Sequence, residues 1–121
     1  MTVARRRSIE PLWWGLFAAG GLVAALFVPF HIAVLGLLVP TGWVPAEAVS
    51  FERVVGLVGN PLVKAYLLVV TVLPLFHWAH RFRFTLVDLG LRRAERLVSF
   101  LCYGGAVAGA ALAFYVILRL P

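Results

Sequence analysis

The groups in this chain that could do chemistry gather between Leu73 and Phe84. An apolar run from Leu67 to Leu75 passes into His77, Trp78 and His80, then into Arg81 and Arg83. Ionisable side chains placed where hydrocarbon gives way to water are functional candidates by default. Trp78 and the arginines alone would serve as headgroup anchors. The His80-Arg81 pair offers more. Both side chains can donate hydrogen bonds to a carbonyl oxygen. Arg81 stays charged and can stabilise a developing anion. A histidine titrating near neutrality suits proton relay. Trp14 and Phe17, at i and i+3, share one helix face and could wall a flat ring; for Trp14 the competing role is the interfacial aromatic belt.

Other chemistries find no support. The sequence contains no phosphate-binding glycine loop, nucleophile triad, paired-cysteine motif or carboxylate pair, so the chain alone is not read as an enzyme. A bis-histidine haem needs two ligands on opposite sides of one plane. His31 lies about 27 Å deeper than Trp13 on a straight helix, whereas His77 lies near the opposite face. They cannot share one haem, and each could pair only with a histidine of another subunit. Helix-packing roles are expected for both.

The elements that position these residues follow from composition. The 121 residues are 63% hydrophobic and 13% charged, with mean hydropathy +0.99. A soluble domain is about half apolar and a quarter charged, and a chain this short cannot bury so much apolar surface against itself. A single domain of three transmembrane helices is expected, with spans at about 12–39, 61–80 and 97–118. Leu12 to Val39 carries no formal charge and reaches about 42 Å, against a hydrocarbon core of about 30 Å. The excess must tilt, kink or lie in the interface, with Pro29 as a kink point. The apolar run after Arg5-Arg6-Arg7 is too long for a cleavable signal, which predicts an uncleaved first span. Trp13 and Trp14 mark one interface and Trp43 the other.

Pro40, Gly42 and Pro45 break the first span. Ser50 reads as an N-cap with Glu52 in the first turn. Phe51, Val54, Val55 and Val58 then give the spacing of a short interfacial helix, which Gly59-Asn60-Pro61 ends. Lys64 can snorkel outward, and Pro74 should kink the second span near the histidines. Small residues at Gly15, Ala18, Ala19, Gly21 and Ala25, and the pair Gly105 and Gly109, suit close helix contact. Cys102, the one cysteine, sits in an apolar run and is expected to pack.

Of eleven basic residues, Arg5, Arg6, Arg7, Arg81, Arg83, Arg92, Arg93 and Arg96 fall on the N-terminus and the second connector. Positive charge stays cytoplasmic, so the N-terminus is expected inside and the C-terminus periplasmic. Trp14 and His80-Arg81 then lie at one depth. The net charge of +6 flanks apolar segments, so it reads as topology and not as nucleic-acid binding.

An ordered set of short patterns resembles the D-type subunit of fumarate reductase, one of two membrane anchors in the four-subunit quinol:fumarate reductase. The set comprises Glu10-Pro11, Trp14 to Phe17, Gly20-Gly21, Pro40, Gly42, Pro45, Ser50 to Val54, Leu73 to Leu75, His80-Arg81 and Asp88-Leu89. The third span matches mainly in hydropathy. The resemblance implies an all-α fold, three transmembrane helices with a short interfacial helix, forming half of a heterodimeric anchor bundle in the inner membrane. It implies partners: the flavoprotein subunit, the iron-sulfur subunit and the sister membrane anchor, which is the C-type subunit. It also implies a menaquinone site shared with those partners, with Trp14, Phe17, His80 and Arg81 at or near it, and no haem. Ala18 departs from a family glycine and could narrow the pocket. His31 and His77 have no counterpart in the pattern, so a haem-bearing succinate dehydrogenase-type anchor stays open. A small membrane transporter is a third reading; it would need intramembrane charge or an internal repeat.

Overall fold

A computed structural model describes residues 10–121. Arg5, Arg6 and Arg7, on which part of the expected orientation rests, lie outside the described residues. The described residues form four α-helices: α1 Glu10–Ala33, α2 Phe51–Val58, α3 Pro61–Asp88 and α4 Glu95–Arg119. Three segments, Pro11–Leu38, Pro61–Asp88 and Leu91–Arg119, are long and apolar enough to cross a membrane.

The first span does not stay α-helical to its end. Its last turn, Val34–Leu38, is a π-helix, closed by the Val39 N–H donating to Val34 O at 2.9 Å. Such wide turns let a helix absorb an extra residue near its end. Gly42 then takes φ +79°, where a side chain would be strained, and the Val44 N–H reaches back to Leu38 O at 3.0 Å. The short helix forms where its spacing predicts it. The Ser50 side chain accepts from the Arg53 N–H at 3.5 Å. Asn60 does more than end α2: its side chain accepts from the Leu62 N–H at 2.8 Å and caps α3, with Pro61 in the first turn.

The second span differs most from expectation. The helix does not end near residue 80 but runs to Asp88, where Gly90 at φ +113° turns the chain. Arg81 and Arg83 therefore stand on helix, and the connector shrinks to the few residues before α4. The physical reason lies between elements. Arg83 donates to Glu95 at 2.7 Å and to the Ser99 hydroxyl, which ties the last turns of α3 to the first turns of α4.

α3 is the central element. α1 and α4 each pack antiparallel along it, and their backbones do not pack on each other. Gly20 and Gly21 permit the α1 approach. A Cβ on Gly20 would overlap Leu73 O, and one on Gly21 would stand 2.7 Å from the His77 ring. On the other side Val98, Cys102 and Ala106 bury against Ala79. Cys102 thus packs, as expected. The Gly105/Gly109 pair divides: a Cβ on Gly109 would touch Leu75 at 3.2 Å, whereas Gly105 faces open space. At the far end Lys64 does not snorkel freely but donates to Leu120 O at 2.8 Å, placing a cation at the C-terminus of α4. Only Ala79, Val98, Cys102, Ala106 and Ile117 are buried among the apolar residues described. The remaining apolar surface requires lipid or protein to cover it.

Candidate functional site

The antiparallel pairing of α1 with α3 sets the start of one beside the end of the other. Trp14 comes within 5.5 Å of His80, ring centroid to centroid, edge to face. Phe17 lies 4.8 Å from His80 and meets Trp14 at 5.9 Å in a T-shaped pair. The equal depth expected of these residues is thus met. Trp14, Phe17, His80 and Arg81, with Phe84, line one open depression of about 250 Å³. All four sequence-derived candidates are brought together.

His77 holds this arrangement from beneath. Its ring stacks on Phe17 at 4.3 Å with the planes 10° apart, and its Nδ1–H donates to Phe17 O at 2.8 Å. The contact reaches the α1 backbone because Gly20 and Gly21 keep α1 close. His31 plays a similar part at the other end. Its Nδ1–H donates to Phe27 O, leaving Nε2 to accept from the Tyr66 hydroxyl at 3.0 Å. Both of its ring nitrogens are therefore engaged within the chain. The packing roles expected of these two histidines are the ones they occupy.

The two arginines of the stretch behave differently. Arg83 is committed to Glu95 and Ser99, with its guanidinium 4.7 Å from the centre of the Phe84 ring. Arg81 is exposed on the rim of the depression, and its guanidinium has no partner among the described residues. A free cation beside an imidazole, walled by two aromatic rings, can bind a flat molecule that carries a carbonyl or a weakly acidic hydroxyl.

Sequence reasoning missed a second depression and two side chains. A second depression, of about 390 Å³, adjoins the first and is lined by Trp13, Trp14, His80, Arg83, Phe84 and Tyr103. Tyr103, from α4, has its hydroxyl 2.7 Å from His80 Nδ1. Phe84 stands edge-on to the His80 ring at 5.0 Å. For Phe84 the signal was available: it sits at i+4 from His80 and so shares its helix face. Tyr103 lies in an otherwise apolar run, and its direction depends on how α4 packs. No group of three or more metal-binding side chains occurs among the described residues.

Residues 4–118 match the family profile of the fumarate reductase D subunit. A Mycobacterium bovis protein named as the D subunit of fumarate reductase is 45% identical over 119 residues, covering 97% of this chain and 93% of the relative. A Photobacterium profundum protein of the same name is 39% identical over 108 residues, 89% of each chain. One from Vibrio campbellii is 40% identical over 89 residues, covering 74% of this chain and 71% of the relative.

Proposed function

Since the chain belongs to the fumarate reductase D-subunit family, we propose that it anchors the flavoprotein and iron-sulfur subunits of a fumarate reductase to the inner membrane and forms part of a menaquinol site there. As a member of that family the chain is a membrane subunit and not the catalytic one. The observation that carries the proposal is the single depression that unites Trp14, Phe17, His80 and Arg81. Menaquinol matches its chemistry. Trp14 and Phe17, packed edge to face, give the fused ring system an aromatic wall to lie against. The Arg81 guanidinium supplies a fixed charge for the oxygen that becomes electron-rich as the hydroxyl is deprotonated. His80 offers a ring nitrogen to take that proton.

The surface that the chain leaves uncovered supports these partners. α1 and α4 each pack on one side of α3 only, so broad apolar faces are free for the sister anchor, the C-type subunit, and for lipid. The end of the molecule that carries the depression also carries Arg81, Arg83, Arg92, Arg93 and Arg96. Positive charge of this density favours the cytoplasmic side, where the iron-sulfur subunit would dock and receive electrons. The C-terminus would then be periplasmic. We assign no haem ligand to His31, both of whose ring nitrogens are engaged within the chain; His77 bonds the α1 backbone through Nδ1 alone.

The test is photolabelling of the assembled complex with an azido-naphthoquinone, followed by peptide mapping. Label on peptides containing Trp14 to Phe17 or His80-Arg81 is the expected result. Label confined to other parts of the chain, or to other subunits, would refute the site.

A further inference from the structure

His80 stands between the two depressions. Its imidazole lines both the one with Phe17 and Arg81 and the one with Trp13, Arg83 and Tyr103. Nδ1 is engaged on the Tyr103 side at 2.7 Å, and Nε2 has no partner among the described residues. Three rings hold the imidazole in place: Trp14 at 5.5 Å, Phe17 at 4.8 Å and Phe84 at 5.0 Å. A ring caged in this way keeps its two nitrogens aimed in fixed directions.

We propose that Tyr103 is a positioning residue that makes His80 a two-ended proton conduit, taking a proton from quinol at Nε2 and passing one to the second depression through Nδ1. The inference rests on the quinol reading above. A phenol hydroxyl can accept and donate at once, which a carbonyl or an ammonium cannot do. With Nδ1–H donating to the Tyr103 oxygen, Nε2 carries its lone pair toward the first depression. The quinol O–H bond breaks as Nε2–H forms. The Nδ1–H bond breaks as its proton moves to the Tyr103 oxygen, and the proton that Tyr103 carried leaves to water in the second depression. The two electrons depart separately, to one-electron acceptors of the iron-sulfur class in the partner subunit, and the second hydroxyl, at the opposite edge of the ring, gives its proton to water as the second electron leaves. Between turnovers the imidazole returns to its starting tautomer by proton exchange with water. α4, which supplies none of the residues in contact with the quinol, thereby controls where the proton goes.

Tyr103→Phe in the assembled complex removes the hydroxyl and keeps the ring that faces Trp13. With a water-soluble naphthoquinol as donor, kcat should fall roughly threefold to tenfold, the value of one hydrogen bond, with KM nearly unchanged. The solvent deuterium isotope effect on kcat should rise, because the proton step now limits more of turnover. Without turnover, the 15N signals of the His80 imidazole in quinone-free complex should move toward a different tautomer balance. Fumarate reduction by an artificial soluble donor should stay at the wild-type rate. Wild-type kcat and isotope effect in Tyr103→Phe would overturn the inference, as would a raised KM with kcat intact, which would make Tyr103 a wall of the binding site. If Arg81→Leu slows quinol turnover and Tyr103→Phe does not, the conduit fails and the quinol site stands. If neither variant has any effect, both fail.

Discussion

Gly20→Ala adds one methyl group at the glycine that has the least room for it. An ideal Cβ there would overlap Leu73 O and lie 2.8 Å from His77 Cβ. Non-bonded contacts are ordinarily about 3.5–4.0 Å, so α1 and α3 would have to separate by about 1 Å. The nearer obstacle is a backbone carbonyl in mid-helix, which cannot rotate aside. Overpacking of this kind costs about 1–3 kcal/mol. Against it stands the gain from replacing a helix-interior glycine, about 0.5–1 kcal/mol. On central values the clash wins, with a net loss of about 1 kcal/mol within a span of about 0–2.5 kcal/mol. Separation of the helices would also loosen the His77 stack on Phe17, 4.3 Å apart in the native packing, and with it the wall of the depression. Gly15→Ala is the control, since a Cβ there meets nothing within 4 Å; it should be neutral or slightly stabilising. The assay is the yield and apparent melting midpoint of detergent-solubilised complex for each variant. Gly20→Ala matching Gly15→Ala in both would refute the close approach of α1 to α3.

Three further outcomes are expected. Gly109→Leu should lower the stability of the chain itself, because its Cβ position already touches Leu75 at 3.2 Å; a wild-type yield of folded chain would reject that packing. Gly105→Leu, on the open face of α4, should leave the chain folded and reduce copurification of the other membrane subunit; full recovery would free that face from any interface. Arg83→Leu removes the ion pair to Glu95 and the bond to Ser99. The pair is half exposed on the Glu95 side, at 48%, so the loss should be on the order of 1 kcal/mol. It should be read as a lower melting midpoint with quinol turnover per assembled complex preserved, and a selective loss of turnover would place Arg83 in the quinol chemistry.

The helices were legible because charge-free runs of this length have few other uses, and the cap at Ser50 rests on local chemistry. The meeting of Trp14 with His80 was legible as well, since two antiparallel spans with basic residues at the same end must bring those positions to one depth. What could not be read depended on contacts between elements. Arg81 and Arg83 resemble the end of a span, yet α3 continues because Glu95 and Ser99 of α4 receive Arg83. The Gly105/Gly109 spacing suggests one shared face. The inward stripe of α4, however, runs through Val98, Cys102 and Ala106, so Gly109 falls at its edge and Gly105 outside it. Tyr103 is a single hydroxyl in an apolar run, and nothing local to it points toward His80.

The most direct test of a quinol site on this chain compares Arg81→Leu with Arg92→Leu. Arg81 lies on the rim of the depression without a partner among the described residues, and Arg92 belongs to the same basic end but lies away from it. Quinol-linked and artificial-donor fumarate reduction should be measured side by side and normalised to assembled complex. Loss of one charge-assisted hydrogen bond, about 1.5–3 kcal/mol, predicts a fall in quinol-linked turnover of roughly tenfold to more than a hundredfold for Arg81→Leu. Donor-linked turnover should be unchanged, and Arg92→Leu should be close to wild type in both. Equal ratios of the two activities in Arg81→Leu and wild type would contradict the site.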